Sequence, residues 1–225
     1  MRLGRLPHNA EALAAAPAHV FGASVPPPMM DRSAVPFAPG LDGNDEFSDC
    51  TCVSLANMIR ARAALNGFQA YVDPAQVVDF FAACAGNPPD LAAVDGLIYL
   101  DVVNRQATTG FATGHDTLFG IPGTVGIDRT SIAVAMDRLG SVGLGVTLHQ
   151  RDLVAFQSGA VWDTEDAAGD VVGGHAVVAW DYTGLGDTDT VRIATWGVLI
   201  SARWRWVEAS IDEAHALAYP QEDRA

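Results

Sequence analysis

Two residues combine reactive side chains with settings that could activate them. Cys50 closes the polar run Gly43-Asn44-Asp45-Glu46-Phe47-Ser48-Asp49 and opens an apolar segment, while His175 follows Gly173-Gly174 and opens the run Ala176-Val177-Val178-Ala179-Trp180. A free thiol has a pKa of about 8.5 and is mostly protonated at neutral pH; a helix N-terminus and a nearby imidazolium lower it by several units. A cysteine that starts a helix and a histidine that starts a strand are the two halves of such a nucleophile.

Other thiols and imidazoles lack these settings. Cys52 and Cys84 read as buried apolar cysteines, the usual state of a free Cys. His8, His19, His115, His149 and His215 read as ordinary. The three cysteines are too few for a disulfide framework, and Cys50-x-Cys52 lacks the spacing and second pair of a structural zinc site, so no metal or cofactor is expected. Asp181 shares a strand face with His175 but would stand about 20 Å along it, too far to be a direct partner.

The elements that would position the pair follow from local signals. Ser48 or Asp49 can cap a helix starting near Cys50, along which Cys52, Leu55, Ala56, Ile59 and Ala63 recur at helical spacing. Asp73-Pro74 predicts a second helix over 75–84. A third is expected over about 95–107 with Gly110 as its stop, and a fourth over 130–139 stopped by Gly140. Thereafter the pattern turns extended, with strands expected over 142–149, 174–182, 191–197 and 201–206. Helices first and sheet second give an α+β fold. Residues 1–40, with Pro26-Pro27-Pro28, Pro36 and Pro39, read as an extended Pro/Ala-rich arm across the surface. Residues 41–225 then form one domain, with a helical half to about 140 and a sheet half beyond.

Composition narrows the partners. The chain has 225 residues, a net charge of −14 and 49% hydrophobic residues, enough for one substantial core. The negative charge argues against nucleic acid or an anionic membrane surface as partner. Neither a signal peptide nor a spanning segment is evident, which suggests the cytoplasm or a virion.

On Cys50 and the Gly174-His175-Ala176-Val177 run, the chain resembles the papain-like cysteine peptidases. That resemblance implies a nucleophile on the central helix, a base on the sheet, and an oxyanion-hole amide six residues before the cysteine, where this chain has Asn44 in place of Gln. It also implies an Asn preceding a Ser-Trp-Gly run that orients the histidine. Thr195-Trp196-Gly197 matches the end of that motif, but Ala194 stands at the Asn position. Positions 194 and 195 are the region where a third member could stand, although Thr195 is expected to turn to the face opposite Ala194 unless its strand bulges. The site is therefore a Cys50-His175 dyad or an inactive relic.

The chain is also similar to an uncharacterised group of bacterial and phage proteins. The shared features are Leu3-Gly4-Arg5-Leu6, Gly43-Asn44-Asp45-Glu46-Phe47-Ser48-Asp49-Cys50-Thr51 (with Ser48 for the usual Gly), the His175 strand, Thr195-Trp196-Gly197 and Asp212-Glu213-Ala214. That group makes the papain-like fold more credible but brings no settled activity, and the resemblance to papain-like peptidases implies a hydrolase of peptide or isopeptide bonds acting on a peptide or protein. The alternative is an inactive papain-like protein with a structural or binding role. A third reading, a peptidoglycan amidase of the CHAP or NlpC kind, lacks the third polar residue and the wall-binding module those enzymes carry.

Overall fold

The computed structural model describes residues 1–68, 70–114, 116–165 and 168–219; His115 lies outside them. Along the chain the elements are β1 (Arg5–Leu6), α1 (Ala10–Ala15), α2 (Cys50–Leu65), α3 (Pro74–Cys84), β2 (Leu97–Ile98), α4 (Tyr99–Thr109), β3 (Phe111–Thr113), β4 (Asp116–Leu118), β5 (Ile121–Thr124), α5 (Arg129–Leu139), β6 (Val142–His149), α6 (Gln150–Ser158), β7 (Val171–Tyr182), β8 (Thr190–Thr195), β9 (Val198–Arg203), α7 (Trp204–Ser210) and β10 (Ile211–Ala218). Among the described residues no helix is long and apolar enough to cross a membrane.

The helical boundaries follow the capping chemistry. Asp73 accepts from the Ala75 N–H at 2.9 Å while Gln76 accepts from the Asp73 N–H, closing a capping box with Pro74 in the first turn of α3. Asp128 caps α5 through Ser131. Helices α4 and α5 end at Gly110 and Gly140, both at positive φ. The third helix starts at Tyr99, later than expected, because Leu97 and Ile98 pair instead with β1.

Six strands form an antiparallel sheet in the order β5-β10-β6-β7-β8-β9. Strand alternation divides its side chains between two cores. On one face Val177, Ala179 and Ile193 pack with Val142, Leu144 and Val146 and with Trp162, Trp204 and Trp206. On the other, Ala176, Val178 and Ala194 pack against α2, which also meets α3 and α4. Helix α2 is buried on nearly every side, and the polar residues among its buried positions are the small Thr51, Ser54 and Asn57.

Three local differences from the sequence expectation bear on the site. The expected strand over 191–197 stops at Thr195, because Trp196 and Gly197 adopt positive φ (43° and 78°) and turn the chain directly into β9. The expected strand over 201–206 likewise gives way to α7 at Trp204. Strand β10 was hidden by its polar residues: Glu213 and His215 are fully buried because they bond to each other.

The arm is only partly extended. Asn9 caps the short α1, and Met30 exchanges backbone hydrogen bonds with Tyr182 on the sheet. Part of its start dips below the surface. Gly4 and Arg5 are buried, and β1 runs parallel to β2 of the helical half while packing against β7 of the sheet.

Candidate active site

Cys50 is the first residue of α2, where the helix collects unpaired N–H groups and partial positive charge. Its N-cap, Asp49, makes no side-chain capping bond to that helix. The thiol is 1% exposed. Burial pushes its pKa up to about 12, against the backbone N–H groups of Ala176 and Gly4, which favour the thiolate. The sulfur therefore lies beside the strand that carries His175. Cys52, on the same helix, turns instead toward Cys84, whose thiol pKa it lowers by a hydrogen bond.

His175 is held on two sides. Its Nε2 lies 2.8 Å from Oγ1 of Thr195, and its ring stacks on Trp196 with centroids 4.4 Å apart and planes 21° apart. Nδ1 is buried without a hydrogen-bond partner, so no such bond joins it to Cys50. Burial, reinforced by the charge of Arg5, lowers the imidazole pKa to about 3. Cys50 and His175 are thus both neutral in this state, without a thiolate-imidazolium pair.

The sheet register explains why Thr195, and not residue 194, meets the histidine. Val178 pairs with Ala194. Up to the register shift after Ala179, even-numbered residues of the two paired strands share the α2 face and odd-numbered ones share the other. Thr195 does turn away from the face of Ala194, as expected, but His175 is on the face it turns toward. No bulge at Thr195 is required. Ala194, 2% exposed, packs in the core with Ala176 and Val178 and does not meet the imidazole. Asp181 also stays apart, paired with Arg192.

Asn44 is 1% exposed and stands in the loop before Cys50. Its amide donates to Asp49 Oδ1 at 3.0 Å and to the Phe47 carbonyl at 3.3 Å, so both amide hydrogens are engaged. Asp49 Oδ2 is buried without a partner. Burial raises the Asp49 carboxyl pKa to about 8, overcoming the bond from Asn44, with Asp42 and Asp45 adding to the rise. At neutral pH this carboxyl is mainly protonated.

The space beside the thiol is filled by the chain's own N-terminus. The Arg2 N–H donates to the Asn44 carbonyl at 2.8 Å, the Trp196 indole donates to the Arg2 carbonyl at 3.3 Å, and the Leu97 N–H donates to the Gly4 carbonyl at 2.8 Å. A Cβ on Gly4 would stand 1.9 Å from the Ser48 carbonyl oxygen, and one on Gly174 would stand 2.3 Å from that of Arg5. Only glycine fits at either place. Residues 2–6 therefore thread between the loop before Cys50 on one wall and β7 with Trp196 on the other.

The sequence matches no protein-family model and no curated protein. Solved structures do match. Xylellain, a cysteine protease from Xylella fastidiosa, superposes with a TM-score of 0.73 at 12% identity, covering 97% of this chain and 96% of its own. A procathepsin B from Trypanosoma congolense gives 0.69 at 14% identity, with 98% and 87% covered. A digestive procathepsin L 3 of Tenebrio molitor gives 0.66 at 13% identity, with 96% and 75% covered. The fold is papain-like. In that papain-like frame the α+β expectation and the order of helical half then sheet hold. At these identities the likeness speaks for the architecture alone.

Sequence reading named Thr195 with Ala194 as the region of a third member but did not assign the histidine contact to Thr195, because the register of β7 on β8 is not written locally. It also missed the Asp49 carboxyl and the ion pairs of Arg5. The signal for Arg5 was present in Leu3-Gly4-Arg5-Leu6 and Asp212-Glu213-Ala214, two motifs about 200 residues apart with nothing in the sequence to join them.

Proposed function

We propose that this protein is a cysteine-dependent hydrolase of peptide or isopeptide bonds. Cys50 is the nucleophile, His175 the proton carrier and Thr195 the residue that orients it. The observation that carries this reading is His175 fixed between Thr195 and Trp196 with Nδ1 unspent, on the strand whose Ala176 N–H adjoins the Cys50 sulfur. A base oriented by a third group beside a nucleophile at a helix N-terminus is the arrangement acyl transfer needs.

In the reaction Cys50 attacks the carbonyl carbon, and the negative oxygen is met by the N-terminal N–H groups of α2. Asn44 joins them by releasing Phe47, the longer of its two bonds. His175 takes the thiol proton and returns it to the leaving amine; water then cleaves the thioester with the imidazole as base. Thr195 contributes a shorter polar arm than an amide, reaching from the face that the register gives it.

The second reading is a papain-like binding or structural protein without turnover, in line with the inactive alternative and the likeness to bacterial and phage proteins. Specific observations favour it: a thiol raised to about 12, an imidazole lowered to about 3, and no hydrogen bond between them. Hydrolysis of a fluorogenic peptide library by wild type, Cys50→Ala and Cys52→Ala separates the readings. The hydrolase predicts turnover that is lost in Cys50→Ala and kept in Cys52→Ala; turnover that survives Cys50→Ala sinks it.

A further inference from the structure

Arg5 is the best-anchored side chain of the segment that fills the cleft. Its guanidinium lies 2.8 Å from Glu213 Oε1 and 2.7 Å from Asp212 Oδ2, and it also donates to the Val146 carbonyl. The Arg5 side chain is 2% exposed and that of Glu213 is 0% exposed. His215 donates to the other Glu213 oxygen at 2.8 Å, and edge-on contact with Tyr99 holds His215 in place. The site is built around the arginine, since a Cβ on Gly145 would stand 2.4 Å from Glu213 Cγ and 3.0 Å from Arg5 Cδ.

We propose that Asp212 and Glu213 form a guanidinium subsite of the catalytic cleft, that Arg5 fills it to hold the N-terminus in place as an inhibitor, and that the peptides the cleft accepts carry an arginine there. This inference rests on the hydrolase reading for the word substrate, but the subsite itself needs only binding. Three observations converge on it. The segment is bound as an added strand, by the Arg2 N–H to the Asn44 carbonyl on one wall, by the Trp196 indole to the Arg2 carbonyl on the other and by the β1–β2 pairing, with one side chain buried in a pocket, which is how extended peptides are recognised. Directly before the arginine stands Gly4, which has no room for a side chain against Ser48. Finally, the N–H of Gly4 adjoins the Cys50 sulfur while the Gly4 carbonyl accepts from the Leu97 N–H, so the tail fills the space beside the thiol with that carbonyl already engaged.

His8, Asp212 and Glu213 also bring donor atoms within 4.8 Å of one another. A guanidinium already bonded to both carboxylates accounts for that cluster. A planar fork matches paired carboxylates better than a point charge does, so lysine is a poorer occupant than arginine.

The test is iodoacetamide labelling of Cys50 in the full-length protein, read by mass spectrometry, with Cys84 in the same digest reporting on the fold. Arg5→Ala is expected to speed Cys50 labelling at least tenfold and to leave Cys84 unchanged. Gly4→Ala, which collides with Ser48 but spares the arginine, is expected to do the same and carries the test if Arg5→Ala is misfolded. To both variants are added acetyl-Met-Arg-Leu-Gly-Arg-Leu-Pro-amide or the same peptide with alanine for its second arginine. Protection by the first peptide alone supports the subsite. Equal protection by both, protection by neither, or Cys50 labelling in a folded variant no faster than wild type overturns it. Cleavage is scored separately with arginine peptides of both residue orders, Leu-Gly-Arg-Leu and Leu-Arg-Gly-Leu. Arginine-dependent protection without cleavage removes the hydrolase and leaves the subsite standing; cleavage without arginine preference does the reverse.

Discussion

The Thr195 hydroxyl and the His175 imidazole meet across β7 and β8, with Oγ1 2.8 Å from Nε2. Both groups are almost wholly buried, so each depends on the other for its hydrogen bond. Through this pairing the protein orients the imidazole without an amide at position 194.

Thr195→Val keeps the shape of the side chain and removes the bond. Leaving a buried ring nitrogen unpaired should cost about 1–3 kcal/mol of stability, read by denaturant unfolding. Hydrolysis should slow through kcat with KM unchanged, since about 1.4 kcal/mol of lost orientation is a tenfold loss in rate. Thr195→Ser should restore both. An unchanged kcat in Thr195→Val would remove Thr195 from the orienting role.

Trp196 occupies the left-handed region at φ 43°, where a bulky residue is strained, and it does so while its ring covers His175. Trp196→Gly relieves the backbone but admits water to the imidazole. The His175 pKa, held near 3 by burial, should rise toward its ordinary value of 6.5. Histidine C–H chemical shifts followed from pH 4 to 8 would show the change. No movement of that resonance would mean that the indole is not what shields the ring.

How much of this was legible in the sequence depends on whether the cause was local. The Asp73-Pro74 cap and the glycine stops at Gly110 and Gly140 were readable because capping and left-handed geometry are settled within a few residues, and the start of α2 at Cys50 was readable from its apolar run although Asp49 makes no side-chain capping bond. Strand β6 was readable end to end from its apolar run. The contact of Thr195 with His175 was not assigned because which face His175 occupies depends on pairing with a strand that starts 15 residues later. The buried Glu213-His215 pair and Arg5 were invisible for the same kind of reason: a charged residue reads as exposed until its partner, here about 200 residues away, is known. The resemblance to papain-like peptidases supplied the architecture, while register and partners came only with the structure.

Gly174 differs from most glycines of the chain in having no positive φ, so its lack of a side chain serves close approach and not backbone freedom. Gly174→Ala should fold, because the backbone there suits any residue, and its methyl group would strike the Arg5 carbonyl. The expected result is an N-terminus displaced from the cleft, seen as trypsin cleavage after Arg2 or Arg5 in the folded protein. An N-terminus as resistant as that of wild type would show that the segment is not held by this contact.

Asp49 gives a pH-dependent test of the nucleophile's loop. Its folded pKa of about 8 lies above its unfolded value of 3.8, so the folded state keeps a proton that the unfolded state releases. Stability from this group is fully present below about pH 4 and is lost as pH rises toward 8, at about 1.4 kcal/mol per unit. Asp49→Asn retains an acceptor for Asn44 and removes the titration. The variant should match wild type near pH 4 and exceed it by about 2–4 kcal/mol at pH 7, the gap closing again on acidification. Parallel pH profiles in urea unfolding would place a charged Asp49 in the folded protein. In that case Asn44 would be held by a full carboxylate and would be less free to turn toward an oxyanion.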